Sequence, residues 1–189
     1  MGSWIALGAM QKGIDIDCCI LSGSSKISKN LITLQRIIVT FLITFFGKKS
    51  IGYLLDRVIL GEYNKSFSPN RTPKDWISSD KQSVDEYIND PLCGYPVTNG
   101  LWNDLLSGFL RVFDKRNYKI SKNIPILIIS GSHDPVGDNT KGTKKLYKFL
   151  STIFDNIEIE LINNARHEVF NEINKENNYN KLLNFIEKT

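Results

Sequence analysis

The sequence predicts an α/β protein, a parallel sheet with helices packed on it and a long helical segment inserted between two of its strands. Two short apolar runs that end in Ser and Gly, "CCILSGSS" and "IPILIISGSHD", have the profile of strands buried on both faces and followed by loops. Helical segments precede the first run and follow the second. Between them lies a stretch from about Lys26 to Lys122 in which nothing alternates with the period of a strand. The expected division is therefore a sheet-bearing core over 1–25 and 123–189 and a helical cap over 26–122.

The elements follow in order. "MGSWIALGAMQKG" reads as the body of a helix closed by Gly13, yet no capping residue announces its start, so it resembles a helix whose launching turn is missing. A strand through Cys18–Leu21 comes next. The inserted segment opens with an apolar helix, "NLITLQRIIVTFLITFFG", and continues with "SIGYLLDRVILG". A turn-rich stretch, "FSPNRTPKDWISSD", leads to a short helix "KQSVDEYIND" and a longer one that Thr98 is placed to cap. After it come a strand at 124–129, a helix "TKGTKKLYKFLSTI", a strand "IEIELI" and a closing amphipathic helix "NNYNKLLNFIEKT".

Composition narrows the classes. The chain has 189 residues, 41% apolar and 23% charged, which is the balance of a folded domain and not of a disordered one. Its net charge of +4 comes from scattered lysines without a basic stripe, so no nucleic-acid partner is expected. Cys18, Cys19 and Cys93 form no metal-binding spacing, and His133 and His167 have no partner four residues away; neither a metal nor a cofactor is expected. Two adjacent cysteines in an apolar run suit buried thiols of a reducing compartment, and with no signal peptide in view a cytoplasmic location is expected. In the Asn30–Gly47 stretch, Gln35 and Arg36 leave a clean apolar run of about ten residues, short of the roughly 20 a spanning helix needs. A helix packed on a neighbour or facing a lipid-like substrate is the preferred reading, with peripheral membrane contact through the cap left open.

Chemistry collects beyond the carboxyl ends of parallel strands. Two loops there hold the groups that matter: Asp134 follows one buried strand and His167 the next. An aspartate that accepts the Nδ1 proton of a histidine fixes its tautomer and leaves Nε2 to take a proton from a nucleophile. Asp before Pro also serves as a turn residue, and a loop histidine as a surface or capping group, but the order and strand context of the two favour the pair.

The order of a helical cap, then an acid, then a histidine resembles the α/β-hydrolases, whose nucleophile sits in G-x-S-x-G on a strand-to-helix turn. "MGSWIA" is similar to the tail of that elbow in the monoacylglycerol lipase and lysophospholipase branch, the serine aminopeptidase S33 or hydrolase-4 group. "RTPKDWISSDKQSVDEYINDPLCGYPVT", "ISGSHDPVGDNTKGTKKLY" and "NARHEVFNE" resemble its cap, acid loop and histidine loop. The resemblance implies the C-terminal part of an α/β-hydrolase that begins just after the nucleophilic serine, with an N-terminal half encoded upstream. It further implies that His167 is general base and then acid, that Asp134 orients it, and that the Met1 backbone N–H is an oxyanion donor. Phe41, Leu42, Phe45 and Phe46 would line an acyl-chain pocket for a small-molecule or lipid ester. Ser3, inside a helix, is not expected to replace the nucleophile. Two other readings stay open: a non-catalytic fragment or interaction module built on a hydrolase scaffold, and an aminopeptidase of the same group.

Overall fold

The computed structural model describes residues 1–120 and 123–189, and the expected end of the cap at Lys122 lies outside them. The elements run α1 (Gly2–Met10), β1 (Cys19–Ser22), α2 (Lys29–Phe46), α3 (Tyr53–Lys65), α4 (Lys81–Asn89), α5 (Asn99–Val112), β2 (Ile126–Gly131), α6 (Lys141–Leu150), β3 (Ile157–Ile162) and α7 (Lys175–Ile186). The three strands form one parallel sheet in the order β1-β2-β3, with Cys19 opposite Ile126 and Ile126 opposite Ile157.

The central strand is buried along its whole length because both faces are covered. Ile126 and Ile128 pack with Leu7 and Met10 of α1 and with Leu146 and Leu150 of α6. Leu127 and Ile129, pointing the other way, meet Val169 and Phe185, the latter from α7. Each such fully buried side chain contributes about 1.5–3 kcal/mol. On the outer strand β3 only Glu158 is exposed, the other five residues being half-buried, so the Ile-Glu pattern is followed only at its start; Glu160 reaches Lys181 of α7 at 2.7 Å. Helix α1 stops at Gln11, two residues before the expected glycine, and the carbonyl of Met1 accepts the N–H groups of Trp4 and Ile5 at its start.

Between β1 and β2 the chain forms α2 to α5, with no strand of the sheet among the described residues. Polar caps set the starts of three of these helices. The Ser28 hydroxyl accepts from Leu31 N, the Asp80 carboxylate from Gln82 N, and the Thr98 hydroxyl from Leu101 N at 3.2 Å, as expected for Thr98. Ile32, Val39, Leu55, Trp102, Leu106 and Phe109 make their shared core. Trp4 of α1 joins this core to the sheet: its ring meets Phe109 edge-on at 4.4 Å and its indole N–H donates to the Ser25 carbonyl.

Helix α2 packs on α5, as expected of an apolar helix resting on a neighbour, but through a narrow stripe. It is long and apolar enough to cross a membrane by length and composition, and only Ile32 and Val39 are buried. Seven residues apart, these two share one face. Leu34, Ile37, Phe41 and Phe45 lie on the opposite face and are exposed, and Phe46 is exposed in the last turn.

Candidate active site

The strand register brings the two expected residues together. Asp134 lies three residues beyond β2 and His167 five beyond β3, on the carboxyl side of neighbouring parallel strands. His167 Nδ1 stands 3.1 Å from both carboxylate oxygens of Asp134, which is wholly buried. The aspartate is itself held: Oδ1 accepts the Val136 N–H at 2.9 Å, and Oδ2 accepts the Ser130 hydroxyl at 3.3 Å. With Nδ1 engaged, Nε2 is the nitrogen left for proton transfer, and the His167 ring is on the wall of a cavity of about 410 Å³.

Backbone pairing fixes how the two loops meet. His133 N–H donates to the Ala165 carbonyl and Ser132 N–H to Ile162, both at 2.9 Å. The ring of His167 rests against Gly23, just past β1, where a Cβ would stand 2.8 Å from His167 Cε1 and 2.9 Å from Nδ1. Gly23 also has φ +57°, a left-handed conformation that glycine adopts without strain. On another side the ring lies 5.3 Å from that of Trp76.

A clamp from the cap completes the setting, and it was not foreseen from the sequence. The Trp76 carbonyl accepts the His167 N–H and the Ile77 carbonyl the Glu168 N–H. The Arg166 guanidinium donates to the carbonyls of Asp75 and Ser78 and stacks over Phe67 at 4.2 Å. Glu172, buried, accepts from the Arg166 N–H at 2.6 Å, from the Ser79 N–H and from the Ser79 hydroxyl. The stretch "DWISS" is thus stitched to the histidine loop across some ninety residues of sequence. The only sequence signals were an acid and a base flanking His167 at positions 172 and 166, which also fit a solvated loop.

The other expected residues fall in two groups. Met1 is brought to His167: both line the 410 Å³ cavity and a second one of similar volume, also bordered by Ser3 and Ser22. Among the described residues no hydroxyl is hydrogen-bonded to His167 Nε2. Phe41, Phe45 and Phe46 are not brought there. They are 59%, 66% and 66% exposed and absent from the cavity wall, because α2 packs through Ile32 and Val39 and turns Phe41 and Phe45 outward. The apolar wall is built instead by Trp4, Val97, Leu105, Leu106 and Phe109. Among the described residues no cluster of His, Cys, Asp and Glu could hold a metal ion.

Comparison with known proteins agrees with this architecture. A carboxyl esterase from Bacillus coagulans, solved with glycerol, superposes with a TM-score of 0.81 at 23% identity over 98% of this chain and 61% of its own. A lipase in its open form gives 0.84 at 23% identity, with 98% and 62% covered. A soluble variant of the monoglyceride lipase of Saccharomyces cerevisiae, bound to a substrate analogue, gives 0.66 at 19%, with 98% and 58% covered. At these identities the likeness is one of fold, and the chain spans about three fifths of the length of each structure. A search of curated proteins gives no match. Residues 1–174 match the family described as Hydrolase_4, serine aminopeptidase S33, which covers the sheet, the cap and both loops of the pair. The chain belongs to the serine aminopeptidase S33 family of α/β-hydrolases.

Proposed function

We propose that this chain carries the acid–base part of a carboxylic-ester hydrolase site whose substrates are lipid esters of the lysophospholipid or monoacylglycerol type. The observation that carries the reading is the His167–Asp134 pair, fixed at 3.1 Å on adjacent strand ends and facing a cavity with an apolar wall. In the reaction His167 Nε2 takes the proton of a nucleophilic hydroxyl as that oxygen attacks the ester carbonyl. It then gives the proton to the departing alcohol, and Asp134 stabilises the imidazolium between the two steps. Water, deprotonated by the same nitrogen, releases the acid. By family position the serine belongs just ahead of Met1, whose backbone N–H would then donate to the oxyanion.

Two measurements test this. The 189-residue chain alone is expected to take no label from a fluorophosphonate and to hydrolyse no ester above the blank; labelling at Ser3 would overturn the assignment of the nucleophile. In the protein joined to its elbow segment, His167→Ala is expected to lower kcat on a monoacylglycerol by about 10⁴-fold or more. Near-normal turnover would remove His167 from the chemistry. The same pair would serve an aminopeptidase, and a higher kcat/KM for aminoacyl anilides than for esters would decide for that substrate class.

A further inference from the structure

The cavity beside His167 has two unlike walls. One is the apolar surface around Phe109. The other gathers polar side chains from separate parts of the cap: Asp56 of α3, Lys74 of the loop before α4, Tyr87 of α4, and Tyr63. Asp56 and Lys74 are both half-buried. They interact electrostatically, yet among the described residues no carboxylate lies within 4.0 Å of Lys74 Nζ. Gly94, at φ +67°, turns the chain tightly enough for Tyr87 and Lys74 to close over it. A Cβ there would stand 3.0 Å from Tyr87 Cε1 and 3.8 Å from Lys74 Nζ. Burial pushes the Asp56 carboxyl up, with the Lys74 ammonium pulling it back. Burial, and then the charge of Asp134, push the Tyr63 phenol up to about 12, so it remains a neutral hydrogen-bond donor.

Two opposite charges that face one cavity without touching each give up hydration and receive little from the other. A neutral ligand satisfies neither. A singly charged ligand satisfies one and is repelled by the other. A ligand carrying both signs at its polar end satisfies both, and the faces of Tyr63 and Tyr87 suit a cationic group. We propose that this wall is a subsite for a dipolar headgroup, in which Lys74 receives an anionic group of phosphate type and Asp56, with Tyr63 and Tyr87 on the same wall, receives an ammonium. The assignment rests on the reading of the cavity as the ester site and deepens it, selecting esters whose leaving alcohol bears a phosphate and an ammonium over those that leave glycerol alone.

The test uses binding, so it is independent of turnover. All three tryptophans of the chain, Trp4, Trp76 and Trp102, line this cavity, and their fluorescence reports its occupation. Octylphosphocholine, octyl phosphate and 1-O-octylglycerol, each below its micelle-forming concentration, would be titrated into the wild-type chain, Lys74→Met and Asp56→Asn, with far-ultraviolet circular dichroism to establish that each variant is folded. The expected result is a Kd about tenfold lower for octylphosphocholine than for either other probe, with each variant losing most of that preference. Equal affinity for octyl phosphate with no effect of Asp56→Asn would overturn the dipolar site, as would preference for the glycerol ether or the absence of quenching by any probe. A folded wild-type chain with no headgroup preference, while the protein joined to its elbow segment hydrolyses simple esters, sinks this inference and leaves the proposed reaction standing.

Discussion

The histidine loop and helix α2 both border the cavity beside His167, the first through His167 itself and the second through Gln35, and they are held in place by different physics. The loop is fixed by directional polar bonds: the two 3.1 Å contacts to Asp134, the carbonyls of Trp76 and Ile77, and the Arg166 and Glu172 clamp. Helix α2 is fixed by an apolar stripe of two buried residues, and among the described residues none of its side chains hydrogen-bonds to another element. A polar network determines orientation because each lost bond leaves a buried group unsatisfied; an apolar helix determines only that some face is covered.

The largest expected effect comes from removing the centre of the network. Glu172→Ala leaves the Arg166 and Ser79 N–H groups without their acceptor in a buried setting. At about 1–3 kcal/mol for each orphaned group, the loss of stability should be about 3 kcal/mol or more, read from the urea midpoint. In the elbow-joined enzyme kcat should fall more than KM rises, since Glu172 acts by positioning and touches no substrate. Glu172→Gln, which keeps an acceptor oxygen, should recover much of both. A variant with wild-type midpoint and kcat would mean that the loop is held without the clamp.

Gly23→Ala is the next step down. Its Cβ would press on the His167 ring at 2.8 Å, and its φ of +57° costs a non-glycine residue about 1–2 kcal/mol. The expected outcome is a loss of that size in stability together with a larger proportional loss of kcat, because the ring must shift to admit the methyl group. Unchanged kcat would show that the ring has more freedom than its contacts imply.

The contrast also explains what the sequence disclosed. The strands β1 and β2 were legible as apolar runs because a strand covered on both faces has no polar side to hide. The meeting of Asp134 and His167 was legible because both follow strands whose parallel register places their carboxyl ends side by side. Glu172, Arg166 and Gly23 were not. Their roles depend on contacts such as Arg166 with Ser78, 88 positions apart, and no local pattern encodes a meeting of that range. Phe41, Phe45 and Phe46 lie away from the cavity wall for a different reason. The apolar residues of α2 run most of the way round the helix, so periodicity leaves its inward face undetermined, and the choice fell to the partners Leu106 and Phe109 of α5.

The smallest expected effect sharpens that last point. If Phe41 and Phe45 lined the acyl pocket, replacing both by Ser would weaken long-chain esters selectively. At about 0.8 kcal/mol for each buried methylene, losing contact with only two of them would lower the ratio of long- to short-chain kcat/KM by roughly tenfold. Both rings instead stand on the outer face of α2, 4.5 Å apart and packed mainly on each other. The double variant should therefore leave the chain-length ratio unchanged and stability within about 0.5 kcal/mol of wild type, while lowering self-association in sedimentation experiments. Leu105→Ala, on the cavity wall, is the control that should move the ratio. A tenfold fall with Phe41 and Phe45 replaced, and none with Leu105, would reverse the assignment and require α2 to turn its outer face inward when substrate is bound.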